Sequence, residues 1–591
     1  MKLSHFCYAL LAVLFLTTCR SEPKETVTNN WKRSGNTIEA RMPTQPRGLN
    51  TSTTAFDSYS KEIVRLTHQY LLFWNAKTLA LEPMLAKGRA KKTVITDGPN
   101  KGNIEYEYEI FEEAKWDDGT PITGHDVAFS YKTLVNPLKP NMMVRSYLNS
   151  LIDIKVDESN PKKLTFTMSQ YLLGEEITYG LLGVLPRHIF DPKGALKNYS
   201  YAELANGKAE DFEGNADLKA FGENLHDPKY NNVPEHIHGS GPYQLVEWEE
   251  SQKMVLKRKE NWWGTKLANQ YPQLQAKPAS ITYKIVKDMV ATTAMAKGEE
   301  LDVIPLIEAA DFVEMKNDER MNSMYNFISE HRSALYFAYI NMKKPMLSDK
   351  RVRRALAHCT DVEDYLQNGL FGLGVRMSST ISPHKPYYNK SLPLINVDIN
   401  KAKALLAEAG WTDSNNNGTV DKEMGGELVE MKLEFLASDT PASLAMANSI
   451  KDNARKAGIE ISIVSKAFKA QLEDIKARDY DIASGATRSQ PILDDFHVLY
   501  HSSNDTPGGF NRAGLSNPEL DQILTDIQLS TDDTKRNALY MRMQEILYDE
   551  QPLIYLVTPL SRTMAHKRLD FVSSAVSPGY YLNQTGFVQD N

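Results

Sequence analysis

The chain has 591 residues (66.7 kDa), with 68 Lys and Arg against 75 Asp and Glu, a net charge of −7, 41% apolar and 24% charged residues. These are ordinary globular proportions, which excludes disordered, collagen-like and coiled-coil chains; a mildly acidic balance also excludes a general nucleic-acid binder, which needs a basic face to displace counterions. At about 150 residues per unit, the length predicts roughly four structural units.

Residues 1–18 predict an export signal: Lys2, then an apolar run from Tyr8 to Leu16, too short for the ~20 residues of a spanning helix. The run ends Leu16-Thr17-Thr18-Cys19, which resembles a bacterial lipobox with Thr18 where Gly, Ala or Ser is usual. On that reading Cys19 is lipidated and becomes the mature N-terminus, and residues 19–33 are a polar, flexible tether. The alternative is an ordinary signal peptide cut nearby. No later stretch approaches 18 consecutive apolar residues. The expected location is extracytoplasmic or periplasmic, with a lipid anchor in a bacterial membrane. Cys359 is then the remaining thiol, so a large core rather than disulfides must hold the fold.

Along the chain, Thr123-Gly124-His125-Asp126 predicts a capping box ahead of a helix bearing Val127, Tyr131, Leu134 and Val135. His236-Ile237-His238 reads as loop histidines or as two ligands of a metal site with no third partner in sequence. Trp262 and Trp263 read as a structural plug. Ser348 precedes a helix with Val352, Ala355, Leu356 and Cys359 on one face, leaving Arg351, Arg353 and Arg354 on a solvated side. Asp413, Asn415, Asn417, Gly418, Thr419 (through its carbonyl) and Asp421 fit the first nine positions of a calcium loop, but position 12 is Met424, with Glu423 one short. The competing reading is a polar turn.

Residues 430–436 alternate like a half-buried strand, and Thr440-Pro441 opens a helix that Gly458 stops. Ile459, Ile461 and Ile463 alternate again, a helix follows around Phe468, Leu472 and Ile475, and Tyr480 to Ala483 forms another strand. This β-α-β-α-β order predicts a largely parallel sheet. Asn517-Pro518 opens a further helix, and Leu539, Met543, Ile546 and Leu547 mark the next. The HExxH, CxxC, GxSxG and Walker patterns are all absent, so no catalytic motif argues for an enzyme.

Five segments in order resemble the family 5 extracellular solute-binding proteins, the peptide and nickel type that feed ABC importers. They begin at Phe111 (FEEAKWDDGTPITGHDVAFSY), Gly239 (GSGPYQLVEWEESQKMVLKRKENWWG), Ile281 (ITYKIVKDMVATTAMAKGEELDV), Ser348 (SDKRVRRALAHCTD) and Asn400 (NKAKALLAEAGWTDSNNNGTVD). Gly239 and Gly241 also read independently as points of unusual backbone angle or of close chain approach. The resemblance implies an α/β, two-lobed periplasmic-binding-protein fold of the large oligopeptide type. Lobe I would comprise 34–75, 184–333 and 556–591, with an extra subdomain at 76–183; lobe II would be 334–555. It implies a non-enzymatic monomer that closes on a peptide-like or other small solute and hands it to an ABC permease. No cofactor is required beyond a structural calcium at the Asp413–Asp421 loop, if that reading holds.

In peptide-binding relatives the loop after the 480–483 strand carries a Trp and an Asp that pairs with the peptide ammonium; here Thr487, Arg488, Ser489 and Gln490 occupy that region. The resemblance therefore implies a cleft that does not clamp a free N-terminus in the usual way and prefers an anionic or uncharged solute, with Arg488 bringing positive charge. Asp494 and Asp495 fit the start of a following helix. Asn50, near the family's usual Asp, is expected to line the cleft from lobe I. The competing functions are an exported hydrolase and a sensing or scavenging lipoprotein without a transporter.

Overall fold

The structure, a computed structural model, describes residues 31–53, 57–139, 148, 150–169, 182–332, 334–489, 493–506, 508–530 and 532–588. The expected signal, Cys19, most of the tether and Gln490 lie outside these residues.

Two large mixed sheets organise the molecule. The first has seven strands in the order Tyr325–Ile328, Thr563–His566, Val303–Ile304, Thr37–Met42, Ser280–Ile285, Lys253–Arg258 and Tyr243–Glu249. Thr37–Met42 runs parallel to Ser280–Ile285 through six register pairs. The second has six strands in the order Gly374–Arg376, Leu553–Pro559, Ala334–Ile340, Ile482–Arg488, Lys432–Ser438 and Glu460–Lys466. A separate four-stranded antiparallel sheet, Lys91–Val94, Ile104–Glu109, Lys163–Met168 and Leu151–Val156, packs into the same core as the first sheet.

The predicted β-α-β-α-β run forms the parallel part of the second sheet. Lys432–Ser438 pairs in parallel with Glu460–Lys466 and with Ile482–Arg488. The intervening helix Pro441–Lys456 is capped by Thr440, which accepts from the Ser443 amide at 3.4 Å, and it buries Met446, Ala447, Ile450 and Ala454. Gly458, at φ +88°, terminates that excursion. Helix Gly124–Val135 carries the expected capping box, with Asp126 accepting from the Thr123 amide at 2.9 Å.

Close approach explains Gly239 and Gly241. Both lie against the end of helix Ser58–Thr67, where the Gly241 amide donates to the Thr67 carbonyl at 2.8 Å. A Cβ on Gly239 would sit 2.0 Å from that carbonyl oxygen, so no other residue fits without moving the helix. Trp262, buried beside them, donates to the Ser240 carbonyl at 2.9 Å, as a structural plug should.

Two expectations change. The lobe boundary at 555/556 cuts through the continuous strand Leu553–Pro559, which belongs wholly to the second sheet; the chain returns to the first sheet at 560–562. Arg353 is not solvated. It is 1% exposed, and its guanidinium donates to the carbonyls of Leu347, Ser348 and Glu550 at 2.6–3.1 Å. Its helix, Lys350–Cys359, is capped by Asp349. Cys359 is fully buried in the second core, and burial pushes its thiol up to about 12.

The C-terminal segment is tied to the first strand by a buried ion pair. Arg568 reaches Asp302 through Nε at 2.6 Å and Nη2 at 2.7 Å, and also donates to the carbonyls of Gly35 and Thr37. Asp302 is 0% exposed. Asp302 also meets Arg33 Nη2 at 3.3 Å and accepts from the Glu39 amide at 2.7 Å, so without Arg568 it stays partly compensated, at a cost below the about 3–5 kcal/mol of breaking an isolated buried pair. Arg568→Met should therefore lower unfolding free energy by about 2 kcal/mol in denaturant titrations. The Arg568→Met/Asp302→Asn double variant should recover part of that loss, because the neutral amide keeps an acceptor for Glu39 and leaves no buried carboxylate short of its guanidinium.

Candidate ligand cleft

Among the described residues the chain crosses between the sheets twice, at 329–332 and at 560–562. The two segments run antiparallel and are stitched together. The Ser561 amide donates to the Glu330 carbonyl at 2.7 Å, and the Glu330 amide donates to Ser561 Oγ at 2.9 Å. The Arg332 amide donates to the Pro559 carbonyl at 3.2 Å, and His331 bridges Leu560. This paired crossing is the hinge.

A cavity of about 650 Å³ lies on it between the lobes. The first lobe contributes Arg41 to Pro43 at the end of its first strand, Asp57 to Glu62 on helix Ser58–Thr67, Pro305-Leu306, and the 574–580 turn. The second contributes Ala334 and Arg488, which are register partners at the ends of adjacent strands. The hinge itself contributes His331, Arg332, Ser561 and Arg562. Crevices at strand ends are where α/β sheets place their ligands.

Leu306 projects at this site from a left-handed backbone, φ 56° and 37% exposed, which a bulky residue rarely adopts. Two arginines brace the turn. Arg41 Nη1 donates to the Pro305 carbonyl at 3.1 Å, and Arg562 Nε donates to the Ile307 carbonyl at 2.5 Å. The other Arg41 donors go to the carbonyls of Val286 and Lys287. Strain of this kind persists only where surrounding contacts over-determine it.

Arg488 Nη2 donates to Ser58 Oγ at 2.8 Å, a hydrogen bond between lobes. His331 on the hinge stacks on His384 of the second lobe, with ring centroids 3.2 Å apart. The acidic groups of the cleft are engaged. Asp57 caps its helix, accepting from the amides of Tyr59 and Ser60 at 3.0 and 2.9 Å and from Ser60 Oγ. Glu62 is buried and accepts from Tyr580 Oη at 2.5 Å. Desolvation raises its pKa from 4.5 to about 7, against the opposing pull of Tyr580 and Arg65.

The structure brings one of the sequence-derived candidates, Arg488, to the cleft. Thr487 pairs with Leu335 in the sheet and is not among the lining residues. Ser489 is buried and donates to Asp494 at 2.7 Å. Asp494 is itself a buried hub rather than a helix cap: Tyr387 Oη donates to its carboxylate at 2.9 Å. Asn50 does not line the cleft either. It is 4% exposed, donates to the Leu225 carbonyl at 2.7 Å and accepts from the Ser52 amide, so both ends of its amide anchor a loop.

At the Asp/Asn loop, the Asp413 carboxylate accepts from the amides of Asn417 and Gly418, Asn415 also accepts from Asn417, and Asn417 accepts from Thr419. Asp421, 2% exposed, opens a hairpin and turns onto Ser414, accepting from its Oγ at 2.6 Å and its amide at 3.0 Å. The loop closes on its own donors. Among the described residues no three His, Cys, Asp or Glu side chains converge to hold a metal.

Two sheets hinged by paired strands around a cleft define a two-lobed solute-binding protein. The chain belongs to the bacterial extracellular solute-binding proteins, family 5, whose middle-region model matches residues 80–509. It is 24% identical over 466 residues to the oligopeptide-binding protein AppA of Bacillus subtilis, covering 78% of this chain and 76% of that one. The structure superposes on NikA from Brucella suis, solved with Fe(III)-EDTA, at TM-score 0.73 and 19% identity, covering 94% of this chain and 100% of NikA. It superposes on the ABC transporter substrate binding protein CtaP from Listeria monocytogenes at TM-score 0.70 and 20% identity, again covering 94% and 100%. The family is one of binding proteins and not of enzymes, which removes the hydrolase reading.

Two outcomes follow. Glu62 holds a proton in the folded state that the unfolded chain releases, so its contribution is full below pH 4.5 and is lost as pH rises through about 7. Wild type should lose roughly 3 kcal/mol relative to Glu62→Gln between those limits, read from denaturant midpoints at each pH. Millimolar calcium separates the two readings of the 413–421 loop: a resident ion at 100 times its Kd would supply about 2.7 kcal/mol and raise the melting temperature, whereas a polar turn leaves it unchanged.

Proposed function

We propose that this chain is the extracytoplasmic substrate-binding component of an ABC importer, capturing a peptide-like or other small solute between its lobes and delivering it to a membrane permease. The cavity of about 650 Å³, bounded by both lobes and seated on their hinge, carries this reading. Its volume falls within the roughly 300–1,000 Å³ typical of small-molecule sites. The oligopeptide-binding name of the Bacillus relative and the transporter title of the Listeria structure support the solute class and the coupling.

Capture works by differential affinity. A solute that touches both lobes does so only when they are closed, so it shifts the population toward the closed state by the difference in its affinity for the two. Micromolar binding requires about −8 kcal/mol net, which desolvated hydrogen bonds and apolar contact in a closed cleft supply. The protein acts as a monomer and requires no cofactor. A lipid on Cys19, within the Leu16-Thr17-Thr18-Cys19 sequence, holds it beside its permease and raises the effective concentration there.

Native mass spectrometry of the purified protein should show a co-purifying solute whose mass is unchanged after prolonged incubation, and its binding should shrink the radius of gyration in scattering. Chemical conversion of the solute, or identical scattering with and without it, would overturn the reading. Cys19→Ala should abolish incorporation of labelled fatty acid and release the protein from the membrane fraction.

A further inference from the structure

We infer that the solute carries at least two anionic groups, carboxylates or comparable oxyanions, and needs no free ammonium, and that the guanidiniums of Arg332 and Arg488 receive those groups. The inference rests on the capture reading and specifies the chemistry of the same cleft.

The charges lining the cavity are unbalanced. Four arginines, Arg41, Arg332, Arg488 and Arg562, face two carboxylates, Asp57 and Glu62. Neither carboxylate is available to a ligand cation. Asp57 is consumed in capping the helix that enters the cleft, and Glu62 is held in a buried hydrogen bond with Tyr580. Glu308 and Asp311 act on Arg41, the arginine already committed to three backbone carbonyls. Arg562 has its Nε committed to Ile307.

Arg332 and Arg488 differ from these. Both are exposed to the cleft, and among the described residues neither joins an ion pair. Arg332 leaves the hinge itself, and Arg488 leaves the second lobe and reaches the neutral hydroxyl of Ser58. A guanidinium presents a planar fork of donors that matches a carboxylate bidentately, and charge-assisted bonds of that kind are about twice as strong as neutral ones. Two such forks, one on the hinge and one at the adjoining strand end of the second lobe, suit a ligand with two anionic ends. Leu306, Tyr59 and Met42 line the same cavity and give its middle an apolar surface.

The test uses three probes with the full-length protein in calorimetric titration: acetyl-Ala-Glu-Ala, which has two carboxylates and no ammonium; Ala-Gln-Ala-amide, of similar size, with an ammonium and no carboxylate; and citrate, an anion that is not a peptide. At least one anion should bind ten times more tightly than the amide, more weakly as salt rises, and at least ten times more weakly to Arg332→Gln and to Arg488→Gln. Both variants should keep the wild-type melting temperature, since neither side chain supports the core. Preference for the anionic peptide over citrate, or the reverse, separates an acidic peptide from a simple polycarboxylate, the charge class standing either way. Equal or tighter binding of the amide, undiminished binding by both arginine variants, or no binding of either anion would overturn the inference. If the amide binds and closes the lobes, the charge class falls while capture stands; a chemically altered solute would instead bring down the capture reading.

Discussion

Among the described residues two strands of chain join the lobes, and the hydrogen bonds between them limit how the lobes can move. Because 329–332 and 560–562 are tied by reciprocal bonds between Glu330 and Ser561, they cannot bend independently. The lobes are confined to rotation about one paired axis, the geometry of a hinge rather than of a flexible linker. A ligand beside that axis touches the moving parts directly. Arg332 and Arg562 are at once hinge residues and cleft residues, so no relay through the core is needed to couple occupancy to closure. The arrangement also explains why the C-terminal return must be anchored firmly. Residues 563–588 belong to the first lobe but reach it only after the whole of the second; Arg568 fixes them to Asp302 across a separation of 266 residues and to the first strand through the Thr37 carbonyl.

Much of the scaffold was legible because its signals are local. Thr440-Pro441, Asn517-Pro518 and the Thr123–Asp126 box each act within one turn, and the alternation at 430–436 and 459–463 encodes buried strand faces directly. Gly239 and Gly241 could be read as close approaches, though not what approaches them, since their partner Thr67 lies more than 170 residues earlier.

The cleft was largely illegible for the opposite reason. Its walls come from segments near 41, 57, 305, 331, 488, 561 and 577, and none carries a periodic or spaced motif. Helical periodicity placed Arg353 on a polar face, but periodicity cannot tell solvent from a neighbouring segment whose unpaired carbonyls need donors; Leu347, Ser348 and Glu550 supply those carbonyls. The same ambiguity misplaced Asn50 and Ser489, whose polar ends satisfy buried groups instead of a ligand. Residue type identifies what a side chain can bond to, and only the tertiary fold decides which partner it meets.

The charge of the cleft gives the hinge a direction. Closing the lobes moves Arg488 toward helix Ser58–Thr67 and toward the first-lobe and hinge arginines, so in an empty cleft like charges are brought together in a medium of falling dielectric. Against this stands the exposed hydrogen bond from Arg488 to the Ser58 hydroxyl, which water can replace. An anion reverses the balance twice over, by screening the repulsion and by accepting from the hinge and the second lobe together. A cation of equal size would add to the repulsion and find its carboxylate partners already engaged. Discrimination by charge and closure of the lobes are therefore one process, and the ligand's free energy is expressed as domain position because the groups that recognise it are carried by the parts that move.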